Sequence, residues 1–248
     1  MHIEIVGTPA SGKSTSARAV DDELYSAGVI TATRKSLYKD YNLTLADWLR
    51  NLGAALWYGC KHPIITGQIF YYTVICSIQR KKVRRVFRVF TFSLAIKVLQ
   101  EKADEVSLSD QGMLQFFVFS VTAKQLQAKN NPFKKFYELL YPPSVPLVIV
   151  QTKTPPEVIN ERCRKRRQQG QTDGTEVLPE NVLIEREQNT EAVLDVLASE
   201  YKKVETVAVS GVENTETIAT KIISKAVELD KQVEEENILP ERLHKRYG

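Results

Sequence analysis

One eight-residue stretch, Gly7-Thr8-Pro9-Ala10-Ser11-Gly12-Lys13-Ser14, limits the folds open to this chain more than any other feature. It satisfies G-x-x-x-x-G-K-[ST] at every fixed position, after the β-type run His2-Ile3-Glu4-Ile5-Val6 and before an apolar helical pattern. Such a turn works where a strand hands over to a helix. The glycines let the backbone wrap until several N–H groups point at phosphate oxygens, and the helix adds the positive end of its dipole. In this reading Lys13 reaches the β and γ phosphates of ATP and Ser14 holds Mg²⁺. Gly7, Pro9, Ala10, Ser11, Gly12 and Thr15 complete the cradle, Thr15 more as a helix-start residue than as a second metal ligand. A glycine-rich turn with a chance lysine is the alternative, and the strand–helix context weighs against it.

The rest of the chain is organised to suit. Gly28 reads as a helix stop, with strands expected at residues 29–33, 105–109, 146–151 and 204–209 and a long final helix at about 215–235. Strands alternating with helical patterns predict an α/β fold in three layers, a parallel sheet covered on both faces. Residues 36–104 read as a helical, aromatic-rich insert between the second and third strands, beside the loop, where a second substrate could enter. Neither a linker nor a repeat interrupts residues 1–236, which predicts one domain followed by a polar, basic tail at 237–248.

Thr154-Pro155-Pro156-Glu157 opens a helix carrying Glu161-Arg162-Cys163-Arg164-Lys165-Arg166-Arg167, and Asp110-Gln111-Gly112 ends the third strand. With the phosphate loop at the N-terminus, these motifs resemble those of the P-loop nucleoside and nucleotide kinases, most closely the thymidylate kinase-like group. The resemblance implies a five-stranded sheet in the order 2-3-1-4-5 and an arginine-rich lid at about 162–175, whose E-R-x-x-x-R pattern is Glu161 to Arg166 here. It implies that Arg162 and Arg166 contact phosphate, and their four-residue spacing puts them on one helix face; a solvated face is the usual fate of such a charge run. Asp110 then orients metal-bound water or the attacking hydroxyl, against a plain turn-forming role before Gly112. Gln111 departs from the family, which has arginine there to help hold the acceptor. That leaves room for another monophosphate, a nucleoside or a non-nucleotide alcohol.

Charge is uneven along the chain. Residues 1–100 carry 14 Lys and Arg against 6 Asp and Glu, and residues 101–248 carry 20 against 24, so the first half should face something acidic. The densest basic run, Arg80 to Arg88, reads as a solvated amphipathic face, a docking patch for anionic lipid or a protein, or an acceptor-phosphate grip through Arg85 or Arg88. No reader fold accompanies it, so nucleic acid is not expected. Trp48, Trp57, Tyr58, Phe70, Tyr71 and Tyr72 belong either to the core or to a stacking slot, the core being commoner. The three histidines are isolated, and the odd number of cysteines, Cys60, Cys76 and Cys163, predicts free thiols. The start of the chain has no signal-like pattern and its longest apolar run is too short to span a bilayer, which makes the cytoplasm the expected compartment.

These readings converge on an ATP-dependent kinase that passes the γ-phosphoryl group to a nucleotide or nucleoside-like acceptor, with a homodimer left open. Two alternatives stand beside it. One is a nucleotide-dependent ATPase switch or scaffold docking through its basic insert on a membrane or partner, and the other is a kinase of a sugar or similar metabolite.

Overall fold

A computed structural model describes residues 1–29, 31–33, 53, 56–79, 86–102, 106–110, 112–118, 121–128, 131–142, 145–171 and 176–235. Five strands, β1 (His2–Val6), β2 (Thr31–Thr33), β3 (Val106–Ser109), β4 (Leu147–Lys153) and β5 (Val204–Ser210), form one parallel sheet in the order β2-β3-β1-β4-β5. The helices are α1 (Lys13–Ser26), α2 (Pro63–Gln79), α3 (Val86–Lys102), α4 (Met113–Val118), α5 (Ala123–Gln127), α6 (Pro132–Leu140), α7 (Pro156–Gln168), α8 (Glu180–Glu200) and α9 (Thr215–Glu235).

The sheet is covered on both faces, as a parallel sheet must be. Ile3, Ile5, Leu108, Val148 and Val150 turn towards α1 and α9, which contribute Val20, Leu24, Ile218 and Ile222. Val6, Leu147, Ile149 and Val204 turn the other way, into a core with Ile69 and Cys76 of α2, Leu94 and Val98 of α3, Phe117 of α4, Phe136 and Tyr137 of α6 and Leu194 of α8. Local signals begin the helices of this second layer. Thr122 and Gln125 make a reciprocal cap on α5, and Asn131 accepts from Phe133 N at 2.8 Å to start α6 with Pro132 in its first turn.

Several boundaries differ from those read in the sequence. The strand read as starting at Val29 starts at Thr31, with Ile30 outside the described residues, and β4 runs on past Gln151 through Thr152 to Lys153. The first helix begins at Lys13, inside the motif itself. In the stretch expected to be the lid, helix α7 continues to Gln168; residues 172–175, Trp48, residues 80–85 and residues 237–248 lie outside the described set.

Of the aromatic residues, Tyr58 is buried and Tyr72 packs on the core beside Phe136, while Trp57, Phe70 and Tyr71 are exposed. None of the three cysteines is in a disulfide; Cys76 and Cys163 are buried and Cys60 is exposed. Among the described residues no helix is long and apolar enough to cross a membrane.

β1 sits between β3 and β4, so the connections leaving its neighbours diverge there. Its carboxyl end is the switch point at which ligands enter sheets of this kind.

Candidate functional site

Residues 7–12 leave β1 and curl over the first turn of α1. Gly12 precedes the helix at φ 99°, in the left-handed region, and the helix starts with neither a side-chain cap nor an acid in its first turn. The Thr15 and Ser16 amides bond Gly12 O at 3.0 and 2.9 Å. The Lys13 and Ser14 amides are first-turn donors of the kind that has no carbonyl inside the helix. Ala10 also lies in the left-handed region, at φ 64°, although it is not glycine. Its methyl group is buried with Ile159 and Cys163 of α7 and Leu183 of α8, which holds the strained residue in place.

The loop is braced from the ends of two other strands. Ser11 Oγ and Thr152 Oγ1 lie 2.6 Å apart, Thr152 Oγ1 also donates to Val6 O at 3.1 Å, and Thr154 Oγ1 donates to Ser11 O at 2.8 Å. Gly211, just after β5, approaches so closely that a Cβ there would overlap Ser11 O and Thr154 Oγ1. A Cβ at Gly7 would likewise overlap Thr152 Oγ1. From α4, Gln115 Oε1 accepts from Gly7 N at 3.1 Å.

Lys13 folds back over this frame, its Nζ donating to Gly7 O at 2.9 Å and Thr8 O at 2.7 Å. Burial lowers its pKa from 10.5 to about 8; Asp110 pulls the other way, and the nearby Arg166 charge adds to the lowering. Ser14 Oγ donates to Asp110 Oδ2 at 2.7 Å, joining the first turn of α1 to the end of β3. A hydroxyl and a carboxylate in contact suit Mg²⁺, which takes one or two protein oxygens and completes its shell with water and phosphate. Among the described residues no group of three His, Cys, Asp or Glu could hold a metal without such help.

On α7 the arginine run divides by helix period. Arg162 and Arg166 are half-buried, Arg164 and Arg167 are exposed, and Cys163 lies between them in the small apolar cluster, its thiol pushed up by burial. Arg162 donates to Ala10 O at 3.1 Å and to Gly211 O at 2.9 Å, so it ties the loop to the turn after β5. Arg166 is the arginine whose charge reaches Lys13.

The structure therefore joins Ser14 to Asp110 beside Lys13, with Arg166 near enough for its charge to be felt at Lys13, and ties Arg162 to the loop and to the turn after β5. Pro9 and Thr15 are exposed at the mouth of the loop. Gln111 and Arg85 lie outside the described residues, as does the Arg88 side chain. Thr152, Thr154 and Gln115 are site residues that reading the sequence missed. The pair of threonines flanking Lys153, directly after an apolar strand, was the available signal.

No family model matches the chain, and no curated protein matches it significantly. Among solved structures it is similar to a deoxyadenosine kinase from M. mycoides. The structure with bound dATP aligns at 16% identity and a TM-score of 0.49, and the one with bound dCTP at 15% and 0.45. Each alignment covers 92% of this chain and 100% of the other. What the site can do rests on its own side chains.

Proposed function

We propose that this protein is an ATP-dependent kinase that transfers the γ-phosphoryl group to a small acceptor, a nucleotide or nucleoside-like molecule. The observation that carries the reading is the Ser14–Asp110 pair beside Lys13 at the uncapped N-terminus of α1, with the Arg166 charge felt at Lys13. Such a constellation is built for a polyphosphate with a metal ion.

Little covalent chemistry is asked of the protein in phosphoryl transfer, which is governed by positioning and electrostatics. Bound Mg²⁺ would supply positive charge that offsets the phosphates. Ser14 Oγ and Asp110 would hold it, with Asp110 also placed to orient a water or the acceptor hydroxyl. Lys13 exchanges its two carbonyl partners for phosphate oxygens, and Arg166 meets the same oxygens from α7. Arg162 keeps the loop and the turn after β5 in register while they do so.

One observation favours the docking alternative. Ile64, Tyr71 and Ile78 recur every seven residues on α2 and are 77%, 58% and 56% exposed, an apolar stripe of the kind partner surfaces use. The kinase reading is tested by following ADP formation from MgATP with and without nucleosides, nucleoside monophosphates and sugars, with Lys13→Ala as blank. Stimulation by one acceptor class, absent from the blank, supports a kinase and names the class. Slow ADP formation indifferent to every acceptor supports the switch or scaffold.

A further inference from the structure

Every residue of β1 is buried, yet on the face turned away from α1 the strand carries His2 and Glu4, both 0% exposed, where apolar residues would fill the core. A carboxylate in such a place is costly unless its oxygens are satisfied. They are. Glu4 Oε1 accepts from Leu114 N, the second residue of α4, at 2.6 Å, and Oε2 accepts from Tyr141 OH. His2 Nε2 stands 3.5 Å from Oε2 while its Nδ1 pairs with Ser107 Oγ at 2.6 Å. Gly112 lies against the carboxyl group, and a Cβ there would overlap it.

The segment above this carboxylate touches the phosphate loop at both its ends. Asp110 accepts from Ser14 Oγ at one end, and Gln115 Oε1 accepts from Gly7 N at the other, with Leu114 beside it. We propose that Glu4 is a positioning residue which fixes Gly112 and the start of α4, and so sets where Asp110 and Gln115 meet the phosphate loop. The inference rests on the reading of that loop as a metal–nucleotide site. Glu4 touches no nucleotide and acts only through Leu114 and the close fit of Gly112. Tyr141 is a lasting donor to it, because burial first and the Glu4 charge second push the phenol well above its usual range.

Two readouts test this, the affinity for ADP with Mg²⁺ and with EDTA, and amide hydrogen exchange at Leu114. Glu4→Gln should speed Leu114 exchange by about tenfold, the equivalent of one weakened hydrogen bond. It should also shrink the Mg²⁺-dependent gain in ADP affinity about fivefold or more, with affinity in EDTA falling by a smaller factor, because Asp110 belongs to the metal site whereas Gln115 reaches the loop only through Gly7 N. Gly112→Ala should reproduce both effects by pushing on the same contact. The double variant Glu4→Asp, Gly112→Ala, with a shorter acid making room, should recover part of the loss.

An equal loss of affinity with and without Mg²⁺ would make Glu4 a general stability residue and overturn the proposal, as would unchanged exchange and an unchanged Mg²⁺ gain in both single variants. Should Glu4→Gln not fold, Tyr141→Phe and Gly112→Ala carry the same comparison. Absence of ADP binding by the native protein would instead strike the kinase reading, while Leu114 exchange would still decide the role of Glu4.

Discussion

Nucleotide binding should draw a proton onto Lys13, and the structure sets how much and at which pH. The side chain is partly buried against two carbonyls of its own loop, and its pKa falls from 10.5 to about 8. A drop of that size corresponds to about 3 kcal/mol of cost for keeping the ammonium in the nucleotide-free fold. The unfolded chain holds this proton more tightly, so the penalty is complete below pH 8 and is relieved as pH rises from about 8 towards 10.5. Phosphate oxygens restore the preference for the charged form. Binding of MgADP should therefore take up about a tenth of a proton at pH 7 and about three-quarters at pH 8.5. Calorimetry in buffers of different ionisation enthalpy measures this directly, and Lys13→Met should abolish the uptake. The same variant should raise the stability of the nucleotide-free protein at pH 7, by an amount that fades above pH 8. Lys97, also lowered to about 8 by burial, titrates in both proteins and cancels in the difference. Uptake near zero at pH 8.5, or uptake that survives Lys13→Met, would refute the reasoning.

Other substitutions probe the frame. Gly211→Ala should cost about 2 kcal/mol or more in denaturant unfolding and weaken ADP binding, since the added Cβ has only Ser11 backbone and the Thr154 hydroxyl to displace. Thr152→Val should lose about 1–3 kcal/mol, because Ser11 Oγ loses its buried partner and Val6 O a donor. Arg166→Ala should depress turnover far more than ATP affinity if its contact strengthens in the transition state, whereas Arg162→Ala should weaken affinity and stability together, as a tie between Ala10 and Gly211 would. Steady-state kinetics beside melting curves separates the two arginines.

The phosphate loop was legible because its constraints are local: glycine spacing, a lysine and a serine in fixed places, and a strand and helix on either side. That Arg162 and Arg166 share a helix face was legible from their four-residue spacing, but it took the family resemblance to single that face out, and the structure half-buries both while Arg164 and Arg167 are exposed. What holds the loop was not legible. Thr152, Thr154 and Gln115 reach it from over a hundred residues away, and their hydroxyls and amide look like ordinary polar surface until the sheet order puts β4 and α4 beside β1. Glu4 was hidden by alternation. His2-Ile3-Glu4-Ile5 reads as a strand with one wet face, yet both faces are buried and the polar one is met by Leu114 and Tyr141. Gly112 read as a turn residue, whereas its want of a side chain is what lets the carboxylate approach.

The most direct test of phosphoryl transfer follows the γ-phosphate itself. Labelled ATP and Mg²⁺ are incubated with a panel of nucleosides, nucleoside monophosphates and sugars, and the label is tracked to acceptor or to water. The arrangement of Lys13, Ser14, Asp110 and Arg166 predicts label on one acceptor class in large excess over free phosphate, and none with Lys13→Ala. Label released only as free phosphate, whatever acceptor is present, would contradict it.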